Sequence, residues 1–554
     1  MIKENFIRRI KENKSFLTML FCCVLLLFLA TLTLVVTGGN VEADDLYFHS
    51  ARIEGVANAM RAGQFPIKYY SDWYYGGGYF SSIFYGDFFL IFPAILRIIG
   101  FSLKSSFWIY CYVVYFSLFI SMYFLSSKYL KNKSLAVVSA TVFVLSQYMF
   151  VDVFRRSALG ECVAIIFFII MLIGVFNMLH EDYSKPWLYS VAFLGMLLSH
   201  MTTLIVATIT LVLIVLCNSK KLFKDKKFWC KSLLAVGAFV LVGLYSLCSF
   251  VEMYFSDVYE ISIPWAIPSN ATQDAFEMLG FTSPYGVGII IIVVFALRFF
   301  VKKTTENTNE VKMLDKFLTF SMVMILFVSP FFPWKYLDKI CSFLQFPFRL
   351  NFIISIMLAL AFAIEIKHIS KTRIKLVKVI LCCLAVFVFY YNNMCLFNFY
   401  VKPDINHSIS TRRLEWTPVD VDYRKLEKQN VYTENGIICD YERKEFDTQI
   451  TFSTKEGENV YYIPLIYYKG YFATITAENG EKINADIKKA NNGLICINTQ
   501  GIEGEVCVYY KGTTIQNVTF VISLLSVGII AGFGTYAFVK KRKDKQNLLK
   551  NTEK

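Results

Sequence analysis

Apolar runs long enough to cross a lipid bilayer recur along almost the whole chain, and they decide what it can fold into. They fall at 15–36, 81–100, 106–127, 134–151, 161–179, 187–217, 231–251, 284–301, 316–333, 347–366, 375–395 and 516–539. A run of ~20 apolar residues forms a helix of ~30 Å, the thickness of the hydrocarbon core, and there every backbone polar group must be paired within the segment. The 554 residues are 56% hydrophobic and only 18% charged, with a mean hydropathy of +0.49. That excludes a soluble enzyme and predicts a polytopic α-helical membrane protein.

Charge orients the spans. The net charge of +14 does not point to nucleic acid, because Lys and Arg gather in short segments between apolar runs, at 128–133, 220–231, 302–303, 367–378 and 540–545. If 81–100 spans, the segment 128–133 falls outside; if it does not, every basic segment lies in the cytoplasm with the N-terminus. The 81–100 run also carries Asp87, Pro93 and Arg97, which suit a re-entrant or interfacial helix. The pattern predicts about twelve spans, 187–217 supplying two, with both termini cytoplasmic and an outer loop at 38–105. The first run follows Arg8, Arg9, Lys11 and Lys14 and is too long for a signal-peptide core of ~7–15 residues, so it reads as an uncleaved anchor.

Segment 396–514 changes character, alternating polar and apolar residues at period two, as in Val460-Tyr461-Tyr462-Ile463. Asn435-Gly436, Asn479-Gly480 and Asn492-Gly493 sit between such runs, and Asn-Gly is the strongest short hairpin signal. The chain therefore divides into a membrane domain at 1–395, an extracytoplasmic β-sandwich at 396–514, and a last span with a basic cytoplasmic tail at 515–554. Of the 14 cysteines, Cys439, Cys496 and Cys507 fall in the β-rich segment without metal-type spacing, and read as free thiols or at most one disulfide.

Ionisable residues collect where the spans end on the outer side, and such residues at a membrane face mark a site. Asp44 and Asp45 follow the first span, with His49 four residues on from Asp45 and on the same face of a helix. That face would hold a divalent metal (Mg or Mn) or present a carboxylate as general base; the plain reading is that Asp44 caps the helix. Arg155, Arg156 and Glu161 lie between consecutive spans, where a guanidinium can grip a phosphate or pair with Glu161. His200 sits at a turn within a long apolar run, as a site-lining or packing residue. Arg349 enters its span from the outer end, either facing a phosphate or snorkelling. Trp73, Tyr79 and Tyr85 stand in a Tyr- and Gly-rich stretch suited to stacking on sugar rings or to the interfacial aromatic belt. No P-loop, dinucleotide fingerprint, HExxH helix or GxSxG elbow occurs.

An acidic motif after the first span, a long outer loop and many spans resemble the GT-C class of glycosyltransferases, which use polyprenyl-phosphate-linked sugars. Within it the chain looks most like the bacterial YfhO-type membrane proteins. The matching marks are Asp45-x-x-x-His49, Gly78-Tyr79 with Phe84-Tyr85, Arg155-Arg156 with Gly160-Glu161, Ser199-His200, Phe346-Pro347-Phe348-Arg349, and Ile463 to Tyr471 in the β-rich segment. The chain departs from the family in having fewer spans and Lys469-Gly470-Tyr471 where Gly-Trp is usual. The resemblance implies transfer of a sugar to a teichoic acid or another cell-envelope glycopolymer, lipid or protein. Asp45 or Asp44 would act as base, with Arg349, Arg155 and Arg156 on the donor phosphate. It also implies partner enzymes that make and flip the lipid-linked donor. A transporter or flippase of lipid-linked sugar, expected to show repeated halves, and a non-catalytic polymer-binding scaffold are the alternative readings.

Overall fold

The computed structural model describes residues 2–262, 266–369, 374–397 and 414–552. It is mostly helical, with one antiparallel sheet near the C-terminus. The helices that matter below are α1 (Ile2–Ala30), α2 (Leu46–Arg61), α3 (Ile91–Ile98), α4 (Leu103–Leu130), α5 (Lys133–Leu145), α6 (Gln147–Phe154), α7 (Leu159–Leu179) and α8 (Trp187–Leu197). They continue with α9 (Met201–Cys217), α10 (Lys226–Tyr254), α11 (Ile290–Arg298), α12 (Thr308–Val328), α13 (Asn351–His368), α14 (Ile374–Phe397) and α15 (Thr514–Thr552).

By length and composition, five helical segments can cross a membrane: Leu103–Leu130, Leu159–Leu179, Lys226–Tyr254, Pro347–His368 and Thr514–Tyr536. The pair α5 and α6, bent by 59° at their junction, makes a sixth if it is one span. The chain is therefore a multi-pass membrane protein. Each run assigned to the predicted spans carries a helix, but several are short: α8 rises ~17 Å and α11 ~14 Å, against a ~30 Å hydrocarbon core. The 81–100 run holds no helix long enough to cross a membrane by itself. It forms a 3₁₀ turn at Phe88–Leu90 and then α3, which lies against α2 with Arg97 Nε donating to Glu54 Oε2 at 2.5 Å.

The bend between α5 and α6 is filled from a neighbouring loop. Gln147 Nε2 donates to the carbonyls of Ser283 (3.3 Å) and Pro284 (3.2 Å) and to the Tyr391 hydroxyl (2.7 Å). Gly280, at φ +82°, packs so close to Gln147 that a Cβ there would collide with the carboxamide. This fixes the direction of α6, and α6 delivers Asp152, Arg155 and Arg156 to one end of the bundle.

The nine strands β1 (Val431–Thr433), β2 (Ile438–Cys439), β3 (Tyr441–Arg443), β4 (Ile450–Ser453), β5 (Val460–Ile466), β6 (Tyr471–Ala477), β7 (Lys482–Lys489), β8 (Leu494–Asn498) and β9 (Gly504–Tyr510) pair in the order 2-1-5-8-7-6-9-4-3. β7 passes from one half to the other: residues 482–485 pair with β6 and 486–489 with β8. The halves fold over each other, placing Phe452 of β4 against Tyr461 of β5 with ring centroids 5.1 Å apart. The end strands β2 and β3 are separated only by Asp440, so the chain itself joins the two ends of the sheet and leaves little open edge.

All three Asn-Gly pairs close hairpins. In each, the glycine alone takes positive φ, at +83° for Gly436, +81° for Gly480 and +72° for Gly493. The glycine N–H returns to the carbonyl three residues back, as from Gly480 to Ala477 at 2.8 Å, and the next rung closes from Ala477 N to Glu481 O at 2.9 Å. This is a type I turn with a glycine bulge rather than a two-residue loop with both residues left-handed, because each strand pair leaves three residues in its loop. Cys439, Cys496 and Cys507 are free thiols. Residues 398–413, close to the start of the predicted 396–514 segment, lie outside the described residues.

Candidate active site

The acidic pair is held by its own backbone. After a turn at Gly38 and Gly39, both at positive φ, Asp44 N donates to Arg155 O (3.1 Å) and Asp45 N to Arg156 O (2.9 Å). Asp44-Asp45 thus runs rung by rung beside Arg155-Arg156, which brings together four residues predicted to share a site. Beyond the arginines Ser157 adopts φ +57° and turns the chain into α7, so that Glu161 faces back toward them.

Among the described residues, most of the cluster's charged side chains are paired and Asp45 is not. Arg155 forms an ion pair with Asp44, and the other Asp44 oxygen accepts from the Tyr285 hydroxyl at 2.5 Å. Arg156 donates to Asp152 Oδ1 (2.8 Å) and Glu161 Oε2 (3.0 Å). Glu161 Oε1 also accepts from the Tyr148 hydroxyl at 2.7 Å. Arg349 Nη1 donates to Leu344 O at 3.2 Å, while its Nε lies 3.3 Å from Glu161 Oε2 without hydrogen-bond alignment and, among the described residues, has no acceptor. Asp45 is half-buried at the N-cap of α2, and its carboxylate makes no capping bond there. Burial raises the Asp45 carboxyl above its ordinary value, and the charges of Arg156 and Arg349 pull it part-way back. The capping explanation for the acidic pair therefore falls: Asp44 is engaged elsewhere, and Asp45, the N-cap residue, does not cap.

Aromatic rings support the guanidinium groups. Phe346, Phe348 and Tyr285 stack in series, with centroids 4.9 Å and 5.1 Å apart. The Arg349 guanidinium lies 5.2 Å from the Phe346 ring and that of Arg156 lies 5.6 Å from the Phe348 ring, distances at which a cation is attracted to the π face.

On the other side stand His49, His200 and Tyr85. His49 is buried, 3.4 Å from Arg52 Nη1, and burial together with that arginine holds its imidazole well below the usual range, so it is neutral. His200 Nδ1 lies 2.8 Å from the Thr203 hydroxyl. The Tyr85 ring is 6.0 Å from His200 and 6.2 Å from His49, and Arg52 sits 4.0 Å from its centroid. Tyr85 is half-buried and shares the fields of Asp45, Glu161 and Arg349, and its phenol is pushed up to about 12, mainly by burial. A Cβ at Gly160 would collide with the Tyr85 hydroxyl and the Ser199 carbonyl, so glycine lets these three segments close on each other. Arg52, on the same helix as Asp45, is not part of the cluster: it pairs with buried Asp87, which Tyr70 and Ser82 also bond.

Two of the aromatic residues predicted to stack on substrate do something else. Trp73 and Tyr79 are fully buried and stack on each other, 5.1 Å apart and 5° from parallel, so neither has a face to offer. Their loop docks on the β-domain instead. Ile466 N donates to Gly77 O at 2.8 Å, Arg443 Nη2 to Ser71 O at 2.8 Å, and the Tyr69 hydroxyl to Asp447 at 2.7 Å. Phe80 stacks on Tyr468 at 4.3 Å and Phe84 on Trp416 at 4.4 Å. Gly76 and Gly77 abut Arg443 and Leu426 so closely that a Cβ on either would collide. Of the three, Tyr85 alone remains beside the cluster.

Sequence reading missed Asp152, Tyr148 and Tyr285. Asp152 stands four residues before Arg156, a spacing that places the two side chains together on a helix and was a usable signal. Nothing local marked Tyr285, whose role depends on a fold contact 241 residues away. Among the described residues no three His, Cys, Asp or Glu side chains converge as a metal-binding set.

No protein-family model matches the chain. A protein of Lactococcus lactis subsp. cremoris (strain MG1363), itself uncharacterized, is 24% identical over 611 aligned positions, covering 94% of this chain and 96% of that one. Among solved structures, the arabinofuranosyltransferase AftD from Mycobacteria aligns with a TM-score of 0.42 at 11% identity, over 68% of this chain and 27% of its own. The archaeal oligosaccharyltransferase AglB from Archaeoglobus fulgidus aligns with a TM-score of 0.40 at 11% identity, over 71% of this chain and 57% of its own. The chain thus spans less than two thirds of either structure.

Proposed function

We propose that the protein is a membrane glycosyltransferase of the GT-C type, moving a sugar from a polyprenyl-phosphate donor to a hydroxyl of a cell-envelope acceptor on the outer face. The observation that carries this reading is the Asp45 carboxylate, which among the described residues has no hydrogen-bonding or ionic partner and lies in the field of two arginines while the acids around it are paired. A carboxylate held above its ordinary pKa is a stronger base than one in water, and a positioned base contributes ~10²–10⁴-fold to a rate.

In the reaction, Asp45 removes the acceptor's hydroxyl proton as its oxygen attacks the anomeric carbon. The bond from that carbon to the phosphate oxygen breaks, and the lipid phosphate leaves with the electron pair. One displacement inverts the anomeric centre. Arg349, whose Nε lacks an acceptor among the described residues, and Arg156 stabilise the charge gathering on the phosphate. Arg155 is assigned to holding Asp44, and Asp44 with Tyr285 to holding the aromatic shelf beneath the guanidinium groups. Tyr85 is assigned to the sugar. The described residues assemble no metal-ligand set, so no step is routed through a metal.

Purified protein in lipid, given radiolabelled polyprenyl-phosphate sugars with and without EDTA, tests the reading. Donor should be consumed in the presence of acceptor hydroxyls, and the effect of EDTA on the rate decides whether a divalent metal held between carboxylate and donor phosphate takes part. Tight donor binding without turnover across a panel of acceptors would move the protein to the polymer-binding scaffold reading.

A further inference from the structure

A small hollow walled by both polar and apolar residues lies at the other end of α7. From Glu161 the helix continues ~24 Å to Asn177, the distance across most of a bilayer's hydrocarbon core. Asn177, Asp182, Tyr183, Lys185, Tyr189 and Lys231 are among the residues that line the hollow. Met178 and Phe228 also line it, and they belong to a small apolar core with Val175 and Leu222 that is separate from the main one.

Besides the Tyr183 hydroxyl, which lies beside Asp225, two donors are left over there among the described residues. Lys128 Nζ donates to Asn177 Oδ1 at 3.3 Å, which uses the carboxamide oxygen; Asn177 is only 4% exposed, and its Nδ2 has no acceptor. The Tyr189 hydroxyl is buried without a partner as well. Three acids stand here: Asp182, in the lining itself, accepts from Ser184 N at 3.1 Å, Glu181 pairs with Lys221 at 2.9 Å, and Asp225 interacts with Tyr183, so the lysines must outweigh the Asp182 charge. Asp182 is held below its usual range chiefly by Ser184, with Lys128 and Lys185 adding to the effect, which places both lysine charges at this end of α7.

The surroundings are those of a lipid interface. Trp187 at the start of α8 and Trp229 in the first turn of α10 are 53% and 44% exposed, as expected of indoles at headgroup level. Leu233 and Leu234 follow on α10 at 69% and 60% exposure.

We propose that this hollow binds the phosphate of an anionic phospholipid. A phosphate oxygen accepts from Asn177 Nδ2 and the Tyr189 hydroxyl, Lys185 and Lys231 supply charge, and the acyl chains lie along the apolar face of α10 that carries Leu233 and Leu234. The site is independent of the proposed transfer chemistry, since it shares no residue with it.

Native mass spectrometry of the full chain with added phosphatidylglycerol or phosphatidylcholine tests this. Retention of phosphatidylglycerol should fall about fivefold for each lysine removed in Lys185→Ala and Lys185→Ala/Lys231→Ala, and fall again in Asn177→Leu, with phosphatidylcholine unaffected. The lysines are exposed, so the double variant gives a reading even if Asn177→Leu fails to fold. Equal retention of phosphatidylglycerol by the wild type and the double variant would overturn the proposal. Displacement of the lipid by millimolar inorganic phosphate would also overturn it, because it would make the hollow a site for a free anion.

Discussion

The cluster around Asp45 and the aromatic loop from Tyr69 to Tyr79 are both built from residues that chemistry can use, yet they end in opposite states. The loop closes on itself and on the β-domain: Trp73 covers Tyr79, Phe80 covers Tyr468, and the glycines let Arg443 and Leu426 press against the backbone. The cluster keeps groups in reserve, with Asp45 unpaired and Arg349 Nε without an acceptor among the described residues. Residue type does not separate glue from site; unspent bonding capacity does. Tyr85, a few residues past the loop and beside the cluster, marks where one state gives way to the other.

If the loop is glue, breaking it costs stability and leaves recognition alone. Trp73→Ala should destabilise the protein by ~3–5 kcal/mol, the usual range for removing a buried large aromatic. It should lower Tm in detergent while the molecules that remain folded keep the donor KM; a raised KM at unchanged Tm would put Trp73 in the site. On the cluster side, Arg349→Ala should cost ~10²–10³-fold in kcat, as for loss of one charge-stabilising donor. Arg155→Ala should act less directly, through a misplaced Asp44, and an equal or larger loss there would reverse the two assignments.

Asp45 also predicts a stability effect of unusual sign. Its folded pKa is raised above the unfolded value, so its contribution is fully present below the unfolded value and is lost as pH rises through the folded one. Asp45→Asn should therefore raise Tm at neutral pH and lose that advantage as pH falls below the unfolded value of ~3.9. The smallest effect belongs to the β-domain turns. Gly480 sits at φ +81°, and a methyl group on its Cα would meet nothing within 4 Å. Gly480→Ala should thus cost only the ~1–2 kcal/mol of a left-handed residue and leave turnover intact.

Much of the candidate cluster was legible in the sequence because lipid makes charge conspicuous. Asp44, Asp45, Arg155, Arg156, Glu161 and Arg349 each interrupt or border an apolar run, and the fold brings them together. The hairpins were legible because Asn-Gly restricts the backbone locally, although the loop length, not the dipeptide, determined the turn type. The fate of Trp73 and Tyr79 was not legible, since composition marks an aromatic ring as sticky without saying which surface will cover it. The lengths of the spans were only partly legible: hydropathy located the helices, but α8 stops short at the turn from Leu198 to His200, and α11 is bordered by turns at 281–289 and 299–307.

The central claim is that Asp45, the carboxylate of the cluster left open among the described residues, is the base. Turnover of a radiolabelled polyprenyl-phosphate sugar should be compared between the wild type, Asp45→Asn and Asp44→Asn, across pH. Asp45→Asn should lose ~10²–10⁴-fold in kcat while still binding donor, and the rising limb of the wild-type pH profile should vanish with it. Undiminished turnover in Asp45→Asn, or loss confined to Asp44→Asn, would contradict the account.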